Sequence, residues 1–88
     1  MIKVELKVID PTGLHARPAS ILSSAAGKYS SKIEIERGEK RANLKSIMGI
    51  LALGIGVDTE IAICAEGEDE ELAVANLVEL MKTNKFAE

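Results

Sequence analysis

The chain has 88 residues, of which 47% are apolar, 28% charged and 2% aromatic, with a net charge of −3. A chain this short supports one hydrophobic core, expected as a single domain over residues 1–88, and leaves little room for a large enclosed substrate cavity. The acidic balance and the presence of Tyr29 and Phe86 as the only aromatics argue against duplex binding, which needs clustered cations, and against single-strand binding by base stacking.

Residues 2 to 9 alternate Ile2, Val4, Leu6 and Val8 with Lys3, Glu5 and Lys7, the period of a strand with one buried and one wet face. This pattern starts at the first residues and is no secretory leader, so a cytoplasmic protein is expected. Asp10-Pro11-Thr12-Gly13 breaks the strand. From Ala16 to about Gly27 a helix follows, with Leu22, Ala25, Ala26 and Tyr29 at helical spacing and Ala19 and Ile21 adding bulk near its start. Pro18 is compatible with it because the first turn needs no N–H there.

Lys32 to Glu36 alternates again and leads through Arg37-Gly38-Glu39-Lys40 into a short segment ending at Asn43, a hairpin around Gly38. Ser46 is suited to cap a short helix from Ile47 to about Leu53, with Gly54 placed to end it. Glu60 to Ala65 reads as a strand with Ile61 and Ile63 facing in and Cys64 as a small hydrophobe; a single cysteine forms no internal disulfide. After Gly67, the acidic run Glu68 to Glu71 favours the positive end of a last helix carrying Leu72, Val74, Leu77, Leu80 and Met81. The longest weakly polar stretch, Ile47 to Val57, is far shorter than the roughly 20 apolar residues that span a bilayer, so no membrane insertion is expected. The order strand, helix, strand, strand, helix, strand, helix describes an α+β fold with helices on one face of a largely antiparallel sheet.

The only histidine, His15, lies where the turn runs into the first helix. A lone histidine is by residue type most often structural or merely exposed, and here the setting points further. The first N–H groups of a helix have no internal partner and its dipole is positive at that end, so an anion is held well there. A neutral imidazole offers a ring nitrogen as nucleophile, and the same place could then hold a transferred phosphoryl group. Arg17 sharpens the point, because a cation at the positive end of a helix is unfavourable until an anion joins it, and its fork of donors matches phosphate oxygens.

Ser46 reads first as a helix cap, and second as a phosphorylation site, where nearly two negative charges would be added beside the apolar residues of the short helix. Ile47, Met48, Ile50, Leu51 and Leu53 are too many for that helix to bury completely, and Met48 and Leu51 are the ones expected outside. No metal-ligand constellation, P-loop pattern or paired acid and base is present, so no metal or cofactor is implied and an enzyme acting on a free small molecule is disfavoured.

His15-Ala16-Arg17-Pro18-Ala19 together with Asn43-Leu44-Lys45-Ser46-Ile47-Met48-Gly49 resembles HPr, the histidine-containing phosphocarrier family of the bacterial phosphoenolpyruvate-dependent sugar phosphotransferase system. The resemblance runs over the whole chain. It implies an open-faced β-sandwich of four antiparallel strands with three helices on one face. It implies a carrier rather than an enzyme: His15 takes a phosphoryl group on Nδ1 from phosphorylated enzyme I and passes it to the A-type component of sugar permeases. Arg17 and the backbone N–H groups of Ala16 and Arg17 steady the phosphate, and Ser20, Ile47, Met48 and Leu51 form the partner interface. Ser46 matches the regulatory serine of relatives served by an HPr kinase/phosphorylase and a catabolite-control repressor. A competing reading makes the protein a regulatory interaction module whose main output is Ser46. Many relatives carry basic residues near positions 24 and 27, where this chain has Ser24 and Gly27, which shifts the expected positive surface toward Arg17, Lys40 and Lys45. A transient carrier of this kind is expected to be monomeric.

Overall fold

The computed structural model describes all 88 residues. The elements follow in the order β1 (Ile2–Lys7), α1 (Ala16–Ala26), β2 (Lys32–Arg37), β3 (Lys40–Asn43), α2 (Ile47–Ala52), β4 (Glu60–Glu66) and α3 (Glu70–Thr83). The four strands form one sheet in the order β1-β4-β2-β3, and every neighbouring pair is antiparallel. The last strand in sequence therefore lies between the first two. Because β1 and β2 both run antiparallel to β4, they are parallel to each other, with α1 as their crossover. By the same logic β3 and β4 are parallel on either side of β2, with α2 connecting them. Two interleaved crossovers thus place α1 and α2 on the same face of the sheet, where they pack against each other.

The register explains the core. Leu6 lies opposite Ile61, Ile35 opposite Ile63 and Ile33 opposite Ala65, so these side chains line one face. Ala19, Leu22 and Ala26 of α1, Ile50 of α2 and Ala73, Val74, Leu77 and Met81 of α3 close over them. The other face of the sheet is wet and charged. Lys3 reaches across β4 to Glu36 at 3.1 Å, and Arg41 stands between Glu34 and Glu36 at 3.7 and 3.5 Å. Such pairs, open to solvent on the side of the cation, contribute little to stability.

Two sequence expectations change here, at Val8 and at Leu72, and the structure adds the face on which Cys64 stands. Regular pairing of the first strand stops at Lys7, but Val8 stays bonded on both sides: its N–H donates to the Thr59 carbonyl, its carbonyl accepts from the Asp58 N–H, and it bridges to Ala87. The chain's end explains this, because Glu88 exchanges backbone hydrogen bonds with Lys7 and the Phe86 carbonyl accepts from the N–H of Ile9 and Asp10. Cys64 is buried, yet on the outer face: the alternation that turns Ile61 and Ile63 inward turns its thiol toward Lys3 and Glu36. Leu72 is 58% exposed, because the buried stripe of α3 runs through Ala73, Val74, Leu77 and Met81 and leaves Leu72 on the far side.

The acidic run before α3 also works differently from a simple cap. The Asp69 carboxylate caps no N–H of its own helix; it accepts from the N–H of Ser30 and Ser31, at 2.9 and 3.0 Å, and from the Ser31 hydroxyl. Glu70 accepts from the Gly67 N–H and pairs with the α-amino group of Met1 at 2.9 Å. Two of the four acids therefore join α3 to the α1–β2 connection and to the chain's start.

Candidate functional site

The turn before α1 is built from Asp10. Its carbonyl accepts from the Gly13 N–H at 2.8 Å and its side chain from the Thr12 N–H at 2.9 Å. An aspartate at this position forms such turns because its short carboxylate reaches the backbone two residues on. Gly13 then takes φ +74, a left-handed conformation that favours glycine, and Leu14, buried, donates its N–H to the Ile55 carbonyl at 3.0 Å. The turn is thereby fixed to the segment just after α2.

His15 is the N-cap of α1, with extended backbone (φ −80, ψ −167) and a half-buried side chain that makes no capping hydrogen bond. Its carbonyl accepts the first intrahelical bond, from Ala19 at 3.0 Å. The N–H groups of Ala16 and Arg17 precede that bond and have no acceptor in the protein, and Pro18 has no N–H to place. Both residues are exposed, the first turn contains no acid, and Pro18 and Ala19 are buried beneath. An imidazole, two unpartnered amide donors and a guanidinium thus meet at the positive end of an eleven-residue helix. No protein carboxylate stands in the first turn to compete for them, so the place suits an anion. The depressions of the surface are lined by other residues, on the outer face of the sheet and at the Gly67–Leu72 turn, and none includes His15. The site lies open, without walls for a small substrate. No group of three or more His, Cys, Asp or Glu side chains stands together to hold a metal ion.

Ser46 is the N-cap of α2: its hydroxyl accepts from the Gly49 N–H at 3.0 Å and its carbonyl from Ile50 at 3.1 Å. At the other end, Gly54 adopts φ +62 and the Arg37 guanidinium donates to the Leu53 carbonyl, a cation at the negative end of the helix. The apolar residues divide cleanly. Ile50 and Leu53 are buried, whereas Met48 is 75%, Ile47 40% and Leu51 38% exposed, all on a helix that packs against α1. Ser20 is exposed on α1. Lys45, expected on the positive surface, instead reaches back to the Tyr29 carbonyl at 2.8 Å and is half buried, while Arg17 and Lys40 remain exposed.

The supports of the site are harder to find in the sequence than its candidate groups. The Ile55 carbonyl and the Gly56 backbone, against which Gly13 sits, carry no side-chain signal. Asn43, whose side chain accepts from the Lys45 N–H at 2.9 Å and shapes the approach to Ser46, does carry one: an asparagine two residues before the donor is a turn pattern.

Residues 2–83 match the family described as the PTS HPr component phosphorylation site. In structure the chain is similar to a histidine-containing phosphocarrier protein from Mycoplasma, with a TM-score of 0.94, 42% identity and 97% of each chain covered. It is similar also to HPr from Thermoanaerobacter tengcongensis, at 0.91 and 44% identity over 98% of this chain and 96% of that one. Crh, a catabolite-repression protein of Bacillus subtilis, matches at 0.75 and 35% identity over 94% and 95%; its crystal structure is a dimer formed by swapping.

Proposed function

The chain belongs to the HPr family of phosphotransferase-system phosphocarriers, and on that footing we propose that its phosphoryl group is carried on Nδ1 of His15, received from phosphorylated enzyme I and delivered to the A-type components of sugar permeases in the cytoplasm. In the first transfer, the His15 nitrogen lone pair forms the new N–P bond while the N–P bond of the phosphorylated donor histidine breaks, its electrons returning to that imidazole. In the second, His15 is the leaving group. The Ala16 and Arg17 amides and the Arg17 guanidinium steady the phosphoryl oxygens.

The observation that carries this reading is the pairing of an imidazole free of any capping bond with two amide donors free of any acceptor. The openness of the site supports it further, because a group handed between proteins has to be reached by both and held only moderately. Phosphoryl transfer from phosphoenolpyruvate and enzyme I, followed by intact-mass spectrometry, is the test. Wild type is expected to gain one acid-labile phosphoryl group and His15→Ala none; equal labelling of both would sink the proposal.

A regulatory role for Ser46 rests on a separate observation: its hydroxyl sits at the head of α2 beside exposed Ile47, Met48 and Leu51. Phosphorylation there by an HPr kinase/phosphorylase would set a dianion against an apolar surface that partners use together with Ser20. It would slow acceptance from enzyme I and create a surface for a catabolite-control repressor. Ser46→Asp is expected to lower the initial rate of phosphoryl acceptance with little change in unfolding midpoint, and an unaltered rate would remove the regulatory reading while leaving the carrier intact. The protein acts as a monomer in this scheme.

A further inference from the structure

Gly13 makes the closest backbone approach next to the histidine. A Cβ on it would overlap the Ile55 carbonyl oxygen and lie 2.7 Å from the Gly56 Cα, so no other residue fits without moving the two segments apart. Immediately after it, the Leu14 N–H is taken up by that same Ile55 carbonyl at 3.0 Å. Gly38 offers the internal comparison: it has nearly the same φ, +61 against +74, but nothing within 4 Å of the place a Cβ would take.

We infer that Gly13 is a positioning residue for His15: its bare Cα lets the Asp10–Leu14 turn seat on the Ile55–Gly56 peptide, and that seating fixes where the imidazole stands relative to the Ala16 and Arg17 amides. The inference rests on the carrier reading of His15.

The chain reaches His15 two residues after Gly13, so a displacement of the turn passes directly to the ring. Misplacement of a reacting group by about 1 Å costs up to roughly 100-fold in rate. Gly13→Ala is therefore expected to slow phosphoryl acceptance from enzyme I by about 10- to 100-fold per folded molecule. The same variant is expected to shift the His15 ring signals in a proton–nitrogen NMR spectrum. Gly38→Ala introduces the same kind of backbone strain away from the turn, and is expected to leave both readouts at wild type. As a gentler change, an ester in place of the Leu14 amide removes the bond to Ile55 without adding bulk, and is expected to move the ring signals in the same direction and slow transfer.

If folded Gly13→Ala transfers at the wild-type rate with unchanged ring signals, or if Gly38→Ala slows transfer equally, the positioning role is wrong. If Gly13→Ala does not fold, the ester variant decides: unchanged signals and rate overturn the inference. Failure of the carrier reading looks different, because wild type itself would then take up no phosphoryl group, and the ring signals of the variants would still report whether the turn positions His15.

Discussion

At the scale of single residues, the polar groups that matter most to the fold are not those that stand out in the sequence. Asp69 looks like one member of an acidic run, yet it ties α3 to the chain at Ser30 and Ser31. The Ser31 hydroxyl first, then the Ser30 and Ser31 amides, hold its carboxyl below the ordinary aspartate range. A carboxyl whose pKa is lower folded than unfolded favours the folded state above its unfolded value, near 3.9, and loses that contribution as pH falls through the lower folded value. Asp69→Asn is thus expected to unfold at lower denaturant than wild type at pH 7, with the gap closing as pH is taken below about 4; a pH-independent gap would contradict the assignment. Cys64 gives a second residue-scale expectation. Burial first, and then the Glu36 carboxylate beside it, push its thiol above the usual range. In the folded protein it should react with a thiol reagent far more slowly at neutral pH than in denaturant, and equal rates would show that the outer face does not shield it.

At the scale of elements, α2 separates stability from recognition within six residues. Ile50 is fully buried, and Ile50→Ala is expected to cost about 2–5 kcal/mol by denaturant unfolding, the lost apolar transfer plus a cavity. Met48→Ser removes a side chain that is 75% exposed and is expected to change stability by no more than about 0.5 kcal/mol while weakening enzyme I binding by titration calorimetry. Ser46→Ala falls between, at about 1 kcal/mol, because one N-cap bond is lost. The apolar count alone gives this helix more hydrophobes than it can bury. Which of them are exposed follows from where β3 and α1 lie against it, since those two neighbours cover Ile50 and leave Met48 uncovered.

At the scale of the whole molecule, the sheet order and the chain's end decide what is closed and what is open. β4 takes a central place between β1 and β2, and it is the strand buried from Ile61 through Ala65 on both faces. Its run Glu-Ile-Ala-Ile-Cys-Ala-Glu carries the small residues Ala62 and Cys64 at two outward positions, and both are buried there. The last residues cover part of the β1 edge, with Phe86 buried at 6% exposure and Glu88 bonded to Lys7. Phe86→Ala is expected to cost about 3–5 kcal/mol in equilibrium unfolding, far more than a frayed terminus would, and a loss below about 1 kcal/mol would show that the tail is only resting on the edge.

Local pattern settles the type and order of all seven elements, the helix start at His15 and the cap at Ser46. These follow from local rules: alternation, helical spacing, capping residues and the charge a helix end prefers. The strand order, the use of Asp69 as a tie and the seating of Gly13 on Ile55 come from the tertiary structure alone. Each of these depends on a partner far along the chain, Asp69 for instance meeting Ser31 across 38 residues, and a local pattern carries no record of which distant backbone it will meet. The candidate groups were legible because their chemistry is their own. Their placement was not, because it belongs to the contacts between segments.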